Sequence, residues 1–179
     1  MQGDARRLDW PNAAVDAVLL LGPLYHLVDA DERQACLREA WRVLPLGGIV
    51  LTVVISRFTS AVDGLVSHLF DDPRFVSIAW EDLHSGRHRG LGEKYFTTAH
   101  LHHPDEIEPE LTEAGFANIE LLALEGLGCL LQDYQTQWSD TAQHEIILEA
   151  VRRPEHERTL LGASSHIESH TSGTSRLPV

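Results

Sequence analysis

Several side chains in this sequence have the chemistry to act on a ligand. Gly22-Pro23-Leu24-Tyr25-His26 directly follows an apolar run, where a strand would hand over to a turn. An imidazole titrates near pH 6.5, so His26 is a candidate base; an equally simple reading has it capping the turn. Tyr25 offers a ring to wall a pocket and a hydroxyl for one hydrogen bond. Gly22 permits close backbone approach and Pro23 fixes the turn. Arg57 follows a second apolar run, and its planar fork suits either an acidic substrate group or a surface ion pair. His100, His102 and His103 invite a metal reading, since imidazole is a common zinc ligand. In an extended chain the first two share a side and the third points away. No cysteine or carboxylate completes a ligand spacing, so no metal is expected. His103, just before Pro104, suits a helix N-cap, and His100 suits the lining of a substrate pocket. Arg87, His88 and Arg89 form a basic patch too small for nucleic acid, either a lid over a ligand or a solvated loop.

The elements that must position these residues follow from hydrophobic patterning. Ala14 to Leu21 is a short apolar run between turn signals, the mark of a strand buried on both faces. Leu37, Ala40, Trp41 and Leu44 recur at helical spacing within Asp29–Leu44, with Asp29 and Glu32 resembling a capping box. Gly47-Gly48 ends that helix, and Ile49 to Ile55 is a second buried strand rich in β-branched residues. Strand, helix, strand at these spacings is a βαβ unit. Val62, Leu65, Val66 and Leu69 form the stripe of another helix, and Pro73 opens one reaching about Leu83. Residues 84–94, with three glycines, read as a mobile loop. A helix from Pro104 to Gly115 contains Pro109, which should cost a hydrogen bond and bend the axis. Ile119–Leu124 reads as a strand, Thr141–Arg153 as a helix with Ile146, Ile147, Ala150 and Val151 on one side, and Leu160–Ile167 as a last strand. The alternation predicts an α/β fold, a Rossmann-like doubly wound sheet, with ligands at the carboxyl edge of its strands. Residues 1–167 form one domain in this reading and 168–179 a disordered tail.

Composition narrows the partners. The chain has 179 residues, with 14 Lys+Arg against 27 Asp+Glu and a net charge of −13. An acidic surface argues against nucleic acid and against an anionic membrane. Two cysteines, Cys36 and Cys129, form no disulfide pattern, and no apolar run spans a membrane or forms a signal peptide, so the expected location is cytoplasmic.

Three stretches taken together resemble the class I S-adenosylmethionine-dependent methyltransferases: GDARRLDWPNAAVDAVLLLGPLYHL (3–27), EAWRVLPLGGIVLTVVIS (39–56) and HPDEIEPELTEAGFANIELLALEG (103–126). Their order and spacing carry the resemblance more than any single motif. It implies S-adenosyl-L-methionine as cofactor, with Asp4 as the adenine-binding acid, the Ala5 amide beside it, and Gly22, Pro23 and Leu24 at the methyl-transfer site. His26 and Tyr25 would be catalytic, and Arg57 and His100 would meet a small-molecule acceptor. The family's first strand and Gly-rich motif have no counterpart here, so the sheet is expected to be truncated at its N-terminal half. The turn Leu44-Pro45-Leu46-Gly47-Gly48 also carries its proline one place early. This chain by itself is therefore expected to bind the cofactor weakly or not at all. The alternative is a non-catalytic α/β domain that self-associates through an exposed sheet edge. A dehydrogenase-like dinucleotide binder would need G-x-G-x-x-G, which the sequence lacks.

Overall fold

The computed structural model of the chain describes residues 3–90, 94–131 and 133–171. Strand β1 (Ala17–Leu20) leads into a one-turn helix, α1 (Pro23–His26), and then the long helix α2 (Ala30–Val43). Strand β2 (Ile49–Ile55) is followed by α3 (Thr59–Val66), α4 (Pro73–Ser85), and a two-residue ladder of β3 (Arg87–His88) with β4 (Ala99–His100). Helix α5 (Pro104–Glu113), strand β5 (Ile119–Ala123), helices α6 (Tyr134–Ser139) and α7 (Thr141–Arg152), and strand β6 (His166–Thr171) complete the order. Among the described residues the main sheet runs β1-β2-β6-β5. β1 and β2 are parallel, Ala17 opposite Ile49, joined by α2 as the βαβ pattern predicts. β6 is antiparallel to both its neighbours.

Helices α2 and α5 cover one face of this sheet. Leu37, Ala40 and Leu44 meet Val50 and Val54 of β2, while Ile107 and Leu111 of α5 pack with Phe116 and Ile167 in the same cluster. Each of the Leu, Val, Ile and Phe side chains taken from water contributes roughly 1.5–3 kcal/mol. Gly115 ends α5 with φ +103, and a Cβ there would lie 3.0 Å from Trp41 Nε1. The Trp41 indole donates to the Gly115 carbonyl at 3.1 Å, which locks α2 to the end of α5. Pro109 leaves α5 unbroken: the lost hydrogen bond is local, and burial of Ile107 and Leu111 on either side holds the helix.

Several sequence expectations change. β1 is an edge strand among the described residues, as a truncated sheet implies, but it is not buried on both faces: Leu19 is 63% exposed. Of the expected stripe only Leu65 is exposed, at 71%; Val62, Val66 and Leu69 are half-buried, and the fully buried residues of α3 are Ser60 and Gly64. The Phe70 ring lies over Gly64, so that small face rather than the aliphatic one is covered. Asp29 is the N-cap of α2 but makes no side-chain cap; the Glu32 carboxylate pairs with Arg6 and the Glu32 amide donates to the Asp29 carbonyl. The capping box forms at His103 and Glu106, at the start of α5. α7 is turned about one residue from the predicted face, leaving Ile146 60% exposed. Residues 84–90 are partly ordered as the end of α4 and strand β3, since Ala99–His100 supplies a pairing partner.

The largest correction concerns the end of the domain. Residues 158–163 are a 3-10 helix rather than a strand, and the last strand runs through Thr171 into the segment expected to fray. Its backbone is paired on both sides, and Thr52 and Ser169 share a buried hydrogen bond of 2.5 Å between β2 and β6, whereas the Thr171 hydroxyl is buried without a partner. The remainder of the expected tail, 172–179, lies outside the described residues. No helix among those described is long and apolar enough to cross a membrane. A chain ending at Ile167 would lose the pairs from Glu168 to Thr171 on both sides of β6. The expected result is loss of a cooperative thermal transition, read by far-ultraviolet circular dichroism.

Candidate active site

The carboxyl ends of β1 and β2 converge on α1. Leu24 of this helix is 2% exposed and belongs to the core, so its side chain does not face a ligand as the sequence suggested. Tyr25 packs on Ile55, Ala99 and Leu101, and His26 is exposed beside it, with ring centroids 4.7 Å apart. A Cβ on Gly22 would meet the Tyr25 hydroxyl at 3.4 Å, an ordinary contact, so space does not demand glycine there. The N-terminal segment lies across from this turn. Asp4, Ala5, Pro23 and His26 line one open groove of about 480 Å³. Asp4 accepts from the Arg6 amide at 2.9 Å and from its guanidinium at 2.7 Å, and those bonds hold its carboxyl down at about 2. Arg6 also pairs with Glu32, so the groove's acid is partly covered by its own neighbour.

Arg57 and His100 line neither this groove nor the cavity described next. They enter a buried network that fastens three elements. Arg33 of α2 donates to Glu110 of α5 at 2.7 Å and to the Val28 carbonyl at 2.8 Å, just beyond α1. Glu110 also meets His102 Nε2 at 3.0 Å. Burial alone would raise the Glu110 carboxyl; the His102 hydrogen bond and the Arg33 guanidinium outweigh it and hold it low. His102 is joined to the end of β2, donating its amide to the Ile55 carbonyl at 2.8 Å. Arg57 pairs with Glu106 at 2.5 Å instead of standing free for a substrate. Gly86, at φ +68, lets Arg57 and the Leu101 carbonyl close over it: a Cβ there would lie 2.4 Å from that oxygen. His100 stacks edge-on against His102 at 4.5 Å, so the two rings do share a side as an extended chain requires. Burial, then the charges of His102 and Arg33, push His100 down to about 3, which keeps it neutral. Among the described residues no cluster of His, Cys, Asp and Glu could hold a metal.

Beyond Ile55 lies a second, more enclosed cavity of about 330 Å³, walled by Ile55, Phe75, Leu101, Tyr95 and Phe96. Under it sits a polar cluster that sequence reading missed. Asp82 is fully buried; Ser60 donates to its Oδ2 at 2.5 Å and His88 Nδ1 meets the same oxygen at 2.8 Å. His88 Nε2 faces the Tyr95 carbonyl at 3.0 Å. Both partners are acceptors, so both bonds form only when the ring is an imidazolium. Burial works against that charge, yet the hydrogen bonds to Asp82 and Tyr95 outweigh it and raise the pKa of His88. The signal was present: Phe75, Ile78, Ala79 and Asp82 share one helical stripe, and a carboxylate on an apolar stripe needs a partner. Phe96 holds a left-handed backbone, φ +51, and its ring stacks on His26 at 6.1 Å. The His26–Phe96 contact is thus a shared wall: one ring lines the groove, the other the cavity.

Residues 1–52 match the family described as "Methyltransferase domain". No curated protein matches the chain. Among solved structures, the chain is similar to a SAM-dependent methyltransferase from Methanosarcina mazei at 18% identity and TM-score 0.51, covering 69% of this chain and 57% of that one. It is similar to the methyltransferase complexed with the Trm112 activator of Haloferax volcanii at 16% identity and TM-score 0.53, covering 97% and 60%. A SAM-dependent methyltransferase from Archaeoglobus fulgidus aligns at 14% identity and TM-score 0.51, covering 96% and 66%. The fold is that of the class I S-adenosylmethionine-dependent methyltransferases. The chain spans about 57–66% of the length of these methyltransferase structures.

Two outcomes follow for this methyltransferase-fold domain. Replacing Arg33 with Ala leaves the buried Glu110 with His102 alone, at an expected cost of about 3 kcal/mol in urea unfolding. His88 binds its proton more tightly folded than unfolded. Its contribution to stability is therefore full below the imidazole's ordinary value near 6.5 and is lost as pH rises through the raised folded value. Unfolding free energies measured from about pH 6 to pH 9 should decline for the native chain and lose that component in His88→Gln.

Proposed function

We propose that this chain works as a methyltransferase on a small molecule, with S-adenosyl-L-methionine as methyl donor. The observation that carries the reading is the meeting of two cavities at α1: His26 borders the groove, Phe96 borders the inner cavity, and their rings stack at 6.1 Å. A transfer reaction needs donor and acceptor sites that share a wall, because most of its acceleration comes from positioning and exclusion of water. When bound, the donor supplies an electrophilic methyl carbon on a sulfonium.

The groove fits the adenine end of that donor. The Asp4 side chain remains 51% exposed despite Arg6, and a carboxylate has acceptor sites beyond those that Arg6 takes. Asp4 would accept from the exocyclic amino group, the Ala5 amide would face the ring, and Pro23 would support it. Tyr25 walls the junction, and His26, exposed at the groove, holds or releases a proton when the acceptor must lose one. Arg57 and His100 act here as supports of the β2 edge rather than as substrate contacts.

Titration with S-adenosylhomocysteine, followed by amide NMR, tests this assignment. The expected result is weak binding, with Kd on the order of 1 mM, and shifts concentrated at Asp4, Ala5 and His26. Absence of shifts at those positions at saturating ligand would overturn it.

One observation favours a second role. β1 is a free edge, and Leu19 and Ile49 are 63% and 48% exposed on adjacent strands. Such an edge pairs readily with a second copy. Light scattering should then give a dimer mass that Leu19→Lys converts to the monomer; a monomer throughout would remove this role.

A further inference from the structure

The cavity beyond β2 has a charge balance that the fold alone does not explain. Each cation on its wall already holds a carboxylate of its own: His88 meets Asp82 at 2.8 Å, Lys94 meets Asp72 at 3.0 Å and His166 meets Glu125 at 2.6 Å. Asp63 of α3 lines the same cavity and, among the described residues, has no side-chain hydrogen bond or ion pair. Burial pushes its carboxyl up, and the charge of His166 pulls it back only in part. Asp63 is half-buried, and a partly desolvated carboxylate with no donor of its own favours a cation that reaches it.

The walls around it suit a cation as well. Phe75, Tyr95 and Phe96 all face the cavity, and Phe75 and Tyr95 stand 5.1 Å apart. Aromatic faces attract ammonium groups, and the protein already uses this: Lys94 Nζ sits 4.8 Å from the Tyr95 ring centre. A volume of about 330 Å³ is at the lower end for small-molecule sites, so the occupant is small.

We propose that this cavity binds a small organic amine, a one-ring or short-chain ammonium whose nitrogen pairs with Asp63 while its body lies among Phe75, Tyr95 and Phe96. An anionic ligand would meet the Asp63 charge, and a neutral one would leave that carboxylate unpaired. The amine's role as methyl acceptor rests on the methyltransferase reading; its binding rests on the cavity alone.

Calorimetry of the 179-residue chain with 2-phenylethylamine, 2-phenylethanol and phenylacetate, without any methyl donor, tests the site. The amine should bind at least about tenfold tighter than the alcohol, a gap of about 1.4 kcal/mol, and phenylacetate should not bind. Asp63→Asn should remove that preference while leaving the alcohol's affinity unchanged. Equal affinity for amine and alcohol, preference for phenylacetate, or no binding of any of the three would overturn the proposal. The comparison within the native chain stands even if Asp63→Asn fails to fold. If the amine binds but S-adenosylhomocysteine leaves the groove unshifted, the methyltransferase reading fails and the amine site survives; the reverse pattern removes only the amine site.

Discussion

The buried pair of Arg33 and Glu110 is the contact on which the arrangement of both cavities depends. Arg33 is 6% exposed and reaches in three directions, to Glu110 and to the carbonyls of Leu27 and Val28. Those carbonyls fix the exit of α1, and hence the orientation of Tyr25 and His26. Glu110 passes the constraint on to His102, whose backbone closes against the last residue of β2. A buried ion pair is often no more stabilising than well-packed apolar groups would be. What it does here is orient: three elements distant in sequence meet in one geometry because each carries a hydrogen-bonding group that the others must satisfy.

The second constraint acts on the inner cavity. His88 links the Asp82 carboxylate of α4 to the carbonyl of Tyr95 and so ties down the segment carrying Tyr95 and Phe96. Phe96 accepts a left-handed backbone in that position, a conformation that non-glycine residues adopt at some cost, and its ring then closes the wall shared with His26. Lys94 and the Tyr95 hydroxyl add a second tether at Asp72. The wall between groove and cavity is thus built on side-chain hydrogen bonds, and its backbone pairing to the sheet is short.

Much of the framework could be read directly from the chain. The βαβ unit stood out because Ile49–Ile55 is a continuous apolar run rich in β-branched residues after a glycine turn, and α2 keeps a helical stripe. The N-cap at His103 was visible because a histidine before proline has few other local uses. Residues 3–27 also pointed to a groove near Asp4 and Pro23, which the fold does bring together. Less could be said of β6, α3 and α7. β6 is polar at alternate positions and reads as a tail, because nothing local reveals that strands will flank it on both sides. α3 has an aliphatic stripe that local patterning would bury, but Phe70 covers the opposite face.

The amino-acid order by itself determined the element types from β1 to β2, the helix opened by Pro104 and the βαβ unit of the first two strands. These depend on contacts between residues near in sequence, or on periodicity that any short window displays. Only the tertiary structure decided which charges are spoken for. Arg57 was engaged by Glu106, His88 by Asp82 and His166 by Glu125, which leaves Asp63 without an ion pair of its own among the described residues. The physical reason is that a charged side chain's role is set by its partner, and in each of these cases the partner arrives from another element.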